Sequence, residues 1–370
     1  MNGLMQARIR DYSLVGEDTR RAIDIGLAAA EWYHTDIPRK IMLQVLKRRN
    51  GPALFDTFIW LGLQVVFASA AVALWGSWWS VALFFAYGVV YGSACDSRWH
   101  EGGHGTAFRT PWMNDIVYNI ASFQVMRNPV NWRWSHARHH TDTYIVGRDN
   151  EILFMRPPTI FRKVLAYAGV DVWDSMRVLL RNTSGNLSPD ERSYIPEREW
   201  PKAVVAARIH VAIYAVTMVV IVGMLVTGAA WKAVIPFLLI GGPRIYGCWH
   251  HYLTAMIQHG GLAEDVLDHR LNTRTCYMNP VSRWLYWNMN YHIEHHMFPM
   301  VPYYNLPHLH ELIKHDLPAP NISIWDAYRE MILAVWRQRT DPDYYLLREL
   351  PPTARPYRGD LHVYSPERVA

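Results

Sequence analysis

The chain has 370 residues, enough for one large domain or two small ones; just over half is hydrophobic, and the 17 Trp and 21 Tyr are an excess. Mean hydropathy is near zero, so strongly apolar stretches are balanced by polar ones, the profile of a membrane protein with a large water-facing part. A net charge of only +5, with acids and bases interspersed, leaves no nucleic-acid-binding pattern, and the three distant cysteines (Cys95, Cys248, Cys276) leave no disulfide framework or CxxC clip.

In chain order, the first 54 residues are mostly polar and contain nothing like a cleavable signal peptide. Four apolar stretches follow, each near the roughly 20 residues that cross a bilayer: about 55–75, 78–94, 204–226 and 231–249. Only Trp75-Gly76-Ser77 joins the first two, and a Thr227-Gly228 turn with two alanines joins the last two, so each pair reads as a helical hairpin. The short loops carry almost no charge. Arg39, Lys40, Lys47, Arg48 and Arg49 precede the first span, and residues 96–202 hold 14 Lys and Arg. The positive-inside rule places both termini and the middle segment in the cytoplasm, with Trp75, Trp78, Trp79 and Trp231 at the opposite interface. Buried core helices of a soluble protein are the alternative, but four such runs in two hairpins are rare there.

Within the middle segment, Trp112 to Phe123 is short for a span and suits the interface. Ile160 to Leu180 is amphipathic, and Asn182 to Pro201 reads as a polar loop. Beyond a proline- and tyrosine-rich stretch (299–307), a soluble helix is predicted at about 321–336, then an extended tail. The domains expected are a cytosolic segment (1–54), a membrane and catalytic domain (55–315) and a cytosolic tail (316–370).

Eight histidines fall into three strings: HEGGH (His100, His104), HARHH (His136, His139, His140) and HIEHH (His292, His295, His296). Imidazole is the commonest metal ligand. Three or four ligands satisfy one zinc ion, so eight point to two metals. His100 and His104 share one face of a helix. His139 and His140 would point about 100° apart, so each HxxHH string can bridge two metals or give a ligand to each. Two spans separate the second and third strings, which brings all eight to one side of the membrane. HEGGH also matches H-E-x-x-H, the zinc protease signature, with Glu101 as general base. That reading explains two of the eight histidines, and Gly102-Gly103 is a poor helix interior.

HEGGH, HARHH in its WSHARHHTDT context, and NMNYHIEHHMFP resemble the three histidine boxes of the membrane fatty-acid desaturase superfamily, over roughly residues 50–315. The resemblance implies an all-α integral membrane fold, four transmembrane helices under a cytosolic helical cap that carries the boxes. It implies a non-haem di-iron centre using O₂ and two electrons, and it adds His259, in Gln258-His259, as a ninth ligand. His250 and His251 are expected to be structural or to support the ligands. His269, His308, His310 and His315 match no role and are expected at the surface. Ligand imidazoles need partners for their other ring nitrogen; the candidates are Glu101, Asp142, Asp149, Glu294 and Asn288. Arg98, Arg138 and Arg148 are candidates to pair with those acids or to dock an anionic donor.

The expected reaction is removal of hydrogen from an unactivated C–H bond of an acyl chain, giving an alkene. A hydroxylase, a desaturase of a small non-lipid metabolite resembling the dihydrorhizobitoxine desaturases, and a non-enzymatic receptor are the alternatives. No cytochrome b5-like HPGG, iron–sulfur cysteine set or G-x-G-x-x-G is present, so a separate ferredoxin or cytochrome b5 with its reductase is implied. Trp99, Trp132, Trp134, Trp284 and Trp287 are candidate pocket walls.

Overall fold

The computed structural model describes residues 8–358. Among them regular structure is helical throughout; one isolated bridge, Cys276 to Asn321, is the sole extended pairing. Three helices are long and apolar enough to cross a membrane: Arg39–Ala73, Trp78–His104 and Glu197–Val226. Their outward side chains are apolar and exposed, including Phe58 (71%), Val219 (71%) and Val226 (81%). Contiguous exposed apolar surface of this kind is stable against lipid rather than water.

The segment expected as one straight span over 231–249 is instead broken. An apolar helix, Ala230–Leu239, ends at extended Ile240. Gly241 adopts φ +87°, open to glycine at little cost, and Pro243 starts a separate turn, Pro243–Tyr246. The chain then enters helix Trp249–His259. Apolar character alone concealed this break, because the Gly-Gly-Pro punctuation lies inside an apolar run. The two short apolar connections meet as hairpin tips would: the Trp75 indole N–H donates to the Trp231 carbonyl at 3.2 Å.

The helix Trp78–His104 contains a π segment, Val89–Ser93. Here the broken fourth element comes very close. A Cβ on Gly247 would lie 1.9 Å from the Gly88 carbonyl oxygen, and one on Gly92 would lie 2.5 Å from that of Pro243. Ser93 donates to the Gly247 carbonyl at 2.6 Å. Small residues thus let two backbones touch where a larger side chain would separate them.

The middle segment is more helical than expected. Pro111–Gln124 packs on the end of Trp78–His104, the Ile160–Leu180 stretch divides at Gly169 into Ile160–Ala166 and Val172–Thr183, and a short helix, Pro189–Tyr194, interrupts the expected polar loop. That last helix is held by a Ser188/Glu191 capping box. Near the C-terminus, Ile324–Arg337 starts at the Ser323 cap, and the residues after it run without regular structure to 358.

Candidate metal centre

Four helices deliver the clustered histidines. His100 and His104 occupy the last turns of Trp78–His104, which continues unbroken through Gly102 and Gly103. Those glycines are tolerated because Tyr118 fills the space: a Cβ on Gly102 would stand 3.1 Å from the Tyr118 Cβ. Helix Pro129–Thr141 carries His136, His139 and His140; Pro129 begins it and the Asn128 side chain caps Val130 and Asn131. His259 ends Trp249–His259, and His292, His295 and His296 lie on the six-residue helix His292–Met297.

Nine imidazoles converge. The ligand nitrogens of His100, His104, His136, His140 and His295 lie within 4.8 Å of one another, as do those of His139, His259 and His296. His292 joins the second group, its Nε2 3.3 Å from that of His259 and 3.2 Å from that of His296. In the first group, His136 Nε2 stands 3.1 Å from those of His100, His104 and His140. The groups adjoin, with the His140 and His296 rings stacked at 4.4 Å.

Helical spacing explains the division. In each HxxHH string the outer pair is four apart and shares a face, while the middle histidine is turned aside. His136 and His140 serve the first group and His139 the second; His292 and His296 serve the second and His295 the first. The two strings are therefore used in opposite senses, and His100 with His104 on one side and His259 on the other complete groups of five and four.

Ring orientation is fixed from behind. His139 Nδ1 meets Asp149 at 2.8 Å, His136 Nδ1 meets Glu151 at 3.2 Å, and His259 Nδ1 meets the Asn272 carbonyl at 2.8 Å. His296 Nδ1 lies 3.2 Å from the Thr143 hydroxyl. Of the five predicted supports, Asp149 alone touches a cluster ring. Glu101 accepts from the Thr106 hydroxyl (2.7 Å) and the Tyr303 N–H (3.0 Å), deep in the core and turned away from the role of a general base. Asp142 pairs with Arg148 at 2.9 Å and Arg138 at 3.6 Å. Asn288 donates to the Tyr303 carbonyl, and Glu294 accepts from Thr275 and His310. Glu151 was missed because it follows the second box by a loop, with no periodicity to connect it.

Other histidines depart from expectation. His269 and His310 are buried rather than superficial: His269 stacks on Trp32 at 4.2 Å, and His310 links Glu294 to the Tyr277 hydroxyl. His308 and His315 are exposed. His251 Nδ1 pairs with Asp96 at 2.9 Å and His250 with Ser282 at 3.0 Å. Arg98 is fully buried between the Trp60, Trp284 and Trp287 rings, which removes it from any docking surface.

Burial pushes His140, His259, His292, His295 and His296 well below the usual imidazole range, and neighbouring imidazoles add to the effect. These rings are neutral at pH 7, the form that binds metal. Neutral nitrogens that aim lone pairs at one another inside a protein lack donors and would be costly. A cation within each group would satisfy them. All-imidazole sets suit iron, zinc or copper and not magnesium or calcium.

A cavity of about 350 Å³ reaches His100, His136, His139, His259 and His292, and Trp99 and Trp132 form part of its wall. A larger groove of about 1160 Å³ runs beside Glu197–Val226, lined by Phe123, Trp134 and Ile209, and touches none of the nine histidines.

A sequence model described as fatty acid desaturase matches residues 75–328, a stretch that contains all nine histidines. No curated protein matches the chain. The family match spans more than half of the sequence, and the chain belongs to the fatty acid desaturase family of oxidoreductases.

Proposed function

We propose that the protein is an O₂-dependent di-iron desaturase that introduces a C=C bond into an acyl chain. The convergence of nine imidazoles, seven of them buried and His104 and His140 partly so, into two adjoining groups beside a cavity of about 350 Å³ carries this reading. The ligands would be His100, His104, His136, His140 and His295 for one iron and His139, His259, His292 and His296 for the other. Iron so held supplies the oxidising chemistry for an unactivated C–H bond. Two hydrogens leave the substrate, two further electrons and two protons enter, and O₂ leaves as two waters. The chain's own residues place the substrate against the histidine floor, exclude bulk water and hold the rings through Asp149, Glu151, Asn272 and Thr143. Electrons come from an external ferredoxin or cytochrome b5 with its reductase.

The same reading places the protein in the membrane with four crossings in two hairpins. The broken path from Ala230 makes the fourth, and the helical cap and both termini are cytoplasmic. Residues 1–54 form the N-terminal cytosolic segment, 55–315 the catalytic domain and 316–370 the tail. Contact between Trp75 and Trp231, and the exposed apolar faces of the long helices, support it.

The test is metal content with product mass. Purified protein is expected to hold about two irons per chain and, with a reductase system and O₂, to give a product lighter by two hydrogens. A product heavier by one oxygen would replace desaturation by hydroxylation, and zinc without O₂ dependence would end the reading. His139→Ala and His295→Ala, one from each group, are each expected to lower bound iron and reduce turnover at least about 100-fold while membrane insertion persists. Normal turnover by either variant rejects the ligand assignment.

A further inference from the structure

The inner cavity is small for its chemistry. Its volume of about 350 Å³ lies at the lower end of the roughly 300–1,000 Å³ of small-molecule sites. Its wall includes Trp99, Met126, Trp132, Ile152 and Met256, and five of the clustered histidines line it as well.

The charged groups on this wall are nearly all committed. Asp96 faces Arg127 at 3.4 Å and His251 at 2.9 Å. Arg127 also lies over the Trp99 and Trp132 rings. Asp171 accepts from Arg244 and Tyr252. Asp174 pairs with Arg162 at 2.6 Å, and Glu151 is taken by His136 and Ser135. Among the described residues lining the cavity, Lys163 is the one full charge that makes no hydrogen bond or ion pair. It is half-buried, whereas the histidines that line the same cavity are buried. Burial, with Arg162 nearby, lowers its pKa, and Asp171 offsets this in part. A half-dry ammonium without a partner is poorly solvated and gains from an incoming anion.

We propose that this cavity takes a compact anionic substrate, a short acyl chain whose far end reaches the histidine floor and whose terminal oxyanion is held by Lys163. The proposal rests on the desaturase reading of the same site and adds the size and charge of what enters it. The oxyanion is a carboxylate or a phosphate. Lys163 is a binding and specificity residue of the cavity wall and not one of the nine clustered histidines.

Calorimetry on the purified full-length protein in detergent, with octanoate, octyl phosphate and the neutral octanol as probes, separates the possibilities without turnover. Wild type is expected to bind an anionic probe about tenfold more tightly than octanol, the worth of one charge-assisted contact. Lys163→Gln is expected to erase that preference and Lys163→Arg to keep it, with iron content unchanged in both. A preference for octyl phosphate over octanoate assigns the anion to a phosphate, and the reverse assigns it to a carboxylate. Equal binding of octanol and the anions by wild type, or a preference that survives in Lys163→Gln, overturns the proposal. Octadecanoate displacing octanoate more effectively in a Lys163-dependent manner overturns the size limit. Failure of desaturation with the charge preference intact rejects the reaction alone.

Discussion

Each cluster imidazole presents Nε2 inward only while Nδ1 keeps its proton, and Asp149 and Glu151 accept that hydrogen bond from His139 and His136. One serves each histidine group, so each group has a carboxylate that orients a ring. Asp149→Asn and Glu151→Gln preserve shape and remove charge. Each is expected to weaken iron binding about 10- to 100-fold, read by competition with a chelator, and the loss is expected to fall on one iron of the pair. Unchanged affinity in both variants would leave these acids a purely structural role. At this scale the sequence was most legible for the ligands themselves, because the spacing of HxxHH is a local property of a helix. It was least legible for their supports. Asp149 and Glu151 lie in a loop whose path depends on tertiary contacts, such as the Asp149 carboxylate accepting the Tyr144 N–H at 2.8 Å. Glu101, although it sits inside a box, spends its oxygens on Thr106 and Tyr303 instead.

Helices place the rings, and none of the short ones would hold alone. His292–Met297 has six residues, well below the roughly 12–15 at which an isolated helix becomes even marginal. Tertiary bonds hold it: Glu294 accepts from Thr275 at 2.5 Å and from His310, which in turn meets the Tyr277 hydroxyl at 2.9 Å. The box helix Trp78–His104 depends similarly on the backbone contact between Gly88 and Gly247. Gly247→Ala would put a methyl 1.9 Å from the Gly88 carbonyl and must push the two elements apart. Overpacking of this kind costs about 1–3 kcal/mol. Because the displaced helix ends in His100 and His104, iron content is expected to fall together with thermal stability. Gly223→Ala, where an added methyl meets nothing within 4 Å, is the control and is expected to leave both unchanged or slightly improved. Equal behaviour of the two variants, measured by melting midpoint and iron per chain, would show the contact to be dispensable. Long apolar helices were readable from their runs of apolar residues. The break after Leu239 was not, because Gly241, Gly242 and Pro243 are flanked on both sides by apolar residues and so interrupt the run without ending it.

Over the whole molecule, one long apolar helix, Trp78–His104, also carries clustered histidines. Trp78–His104 starts beside the Trp75–Trp231 contact and ends in the cluster, so its length separates that contact from the histidines. Twenty-seven residues at 1.5 Å each make about 40 Å, more than the roughly 30 Å hydrocarbon core. The helix is thus long enough to cross a bilayer with His100 and His104 beyond it. This geometry makes the proposed orientation testable without activity. Cys95, Cys248 and Cys276 are buried and form a silent background for thiol labelling. Ser77→Cys and Thr227→Cys place thiols on the exposed tips, and Arg198→Cys places one on the exposed polar side before Glu197–Val226 has run its length. In intact cells a membrane-impermeant maleimide is expected to modify the first two and spare the third, which reacts only after lysis. Labelling of Arg198→Cys from outside, with the tips protected, would invert the molecule. Labelling of one tip alone would mean that the broken fourth element returns without crossing, and the two-hairpin arrangement would fall with it.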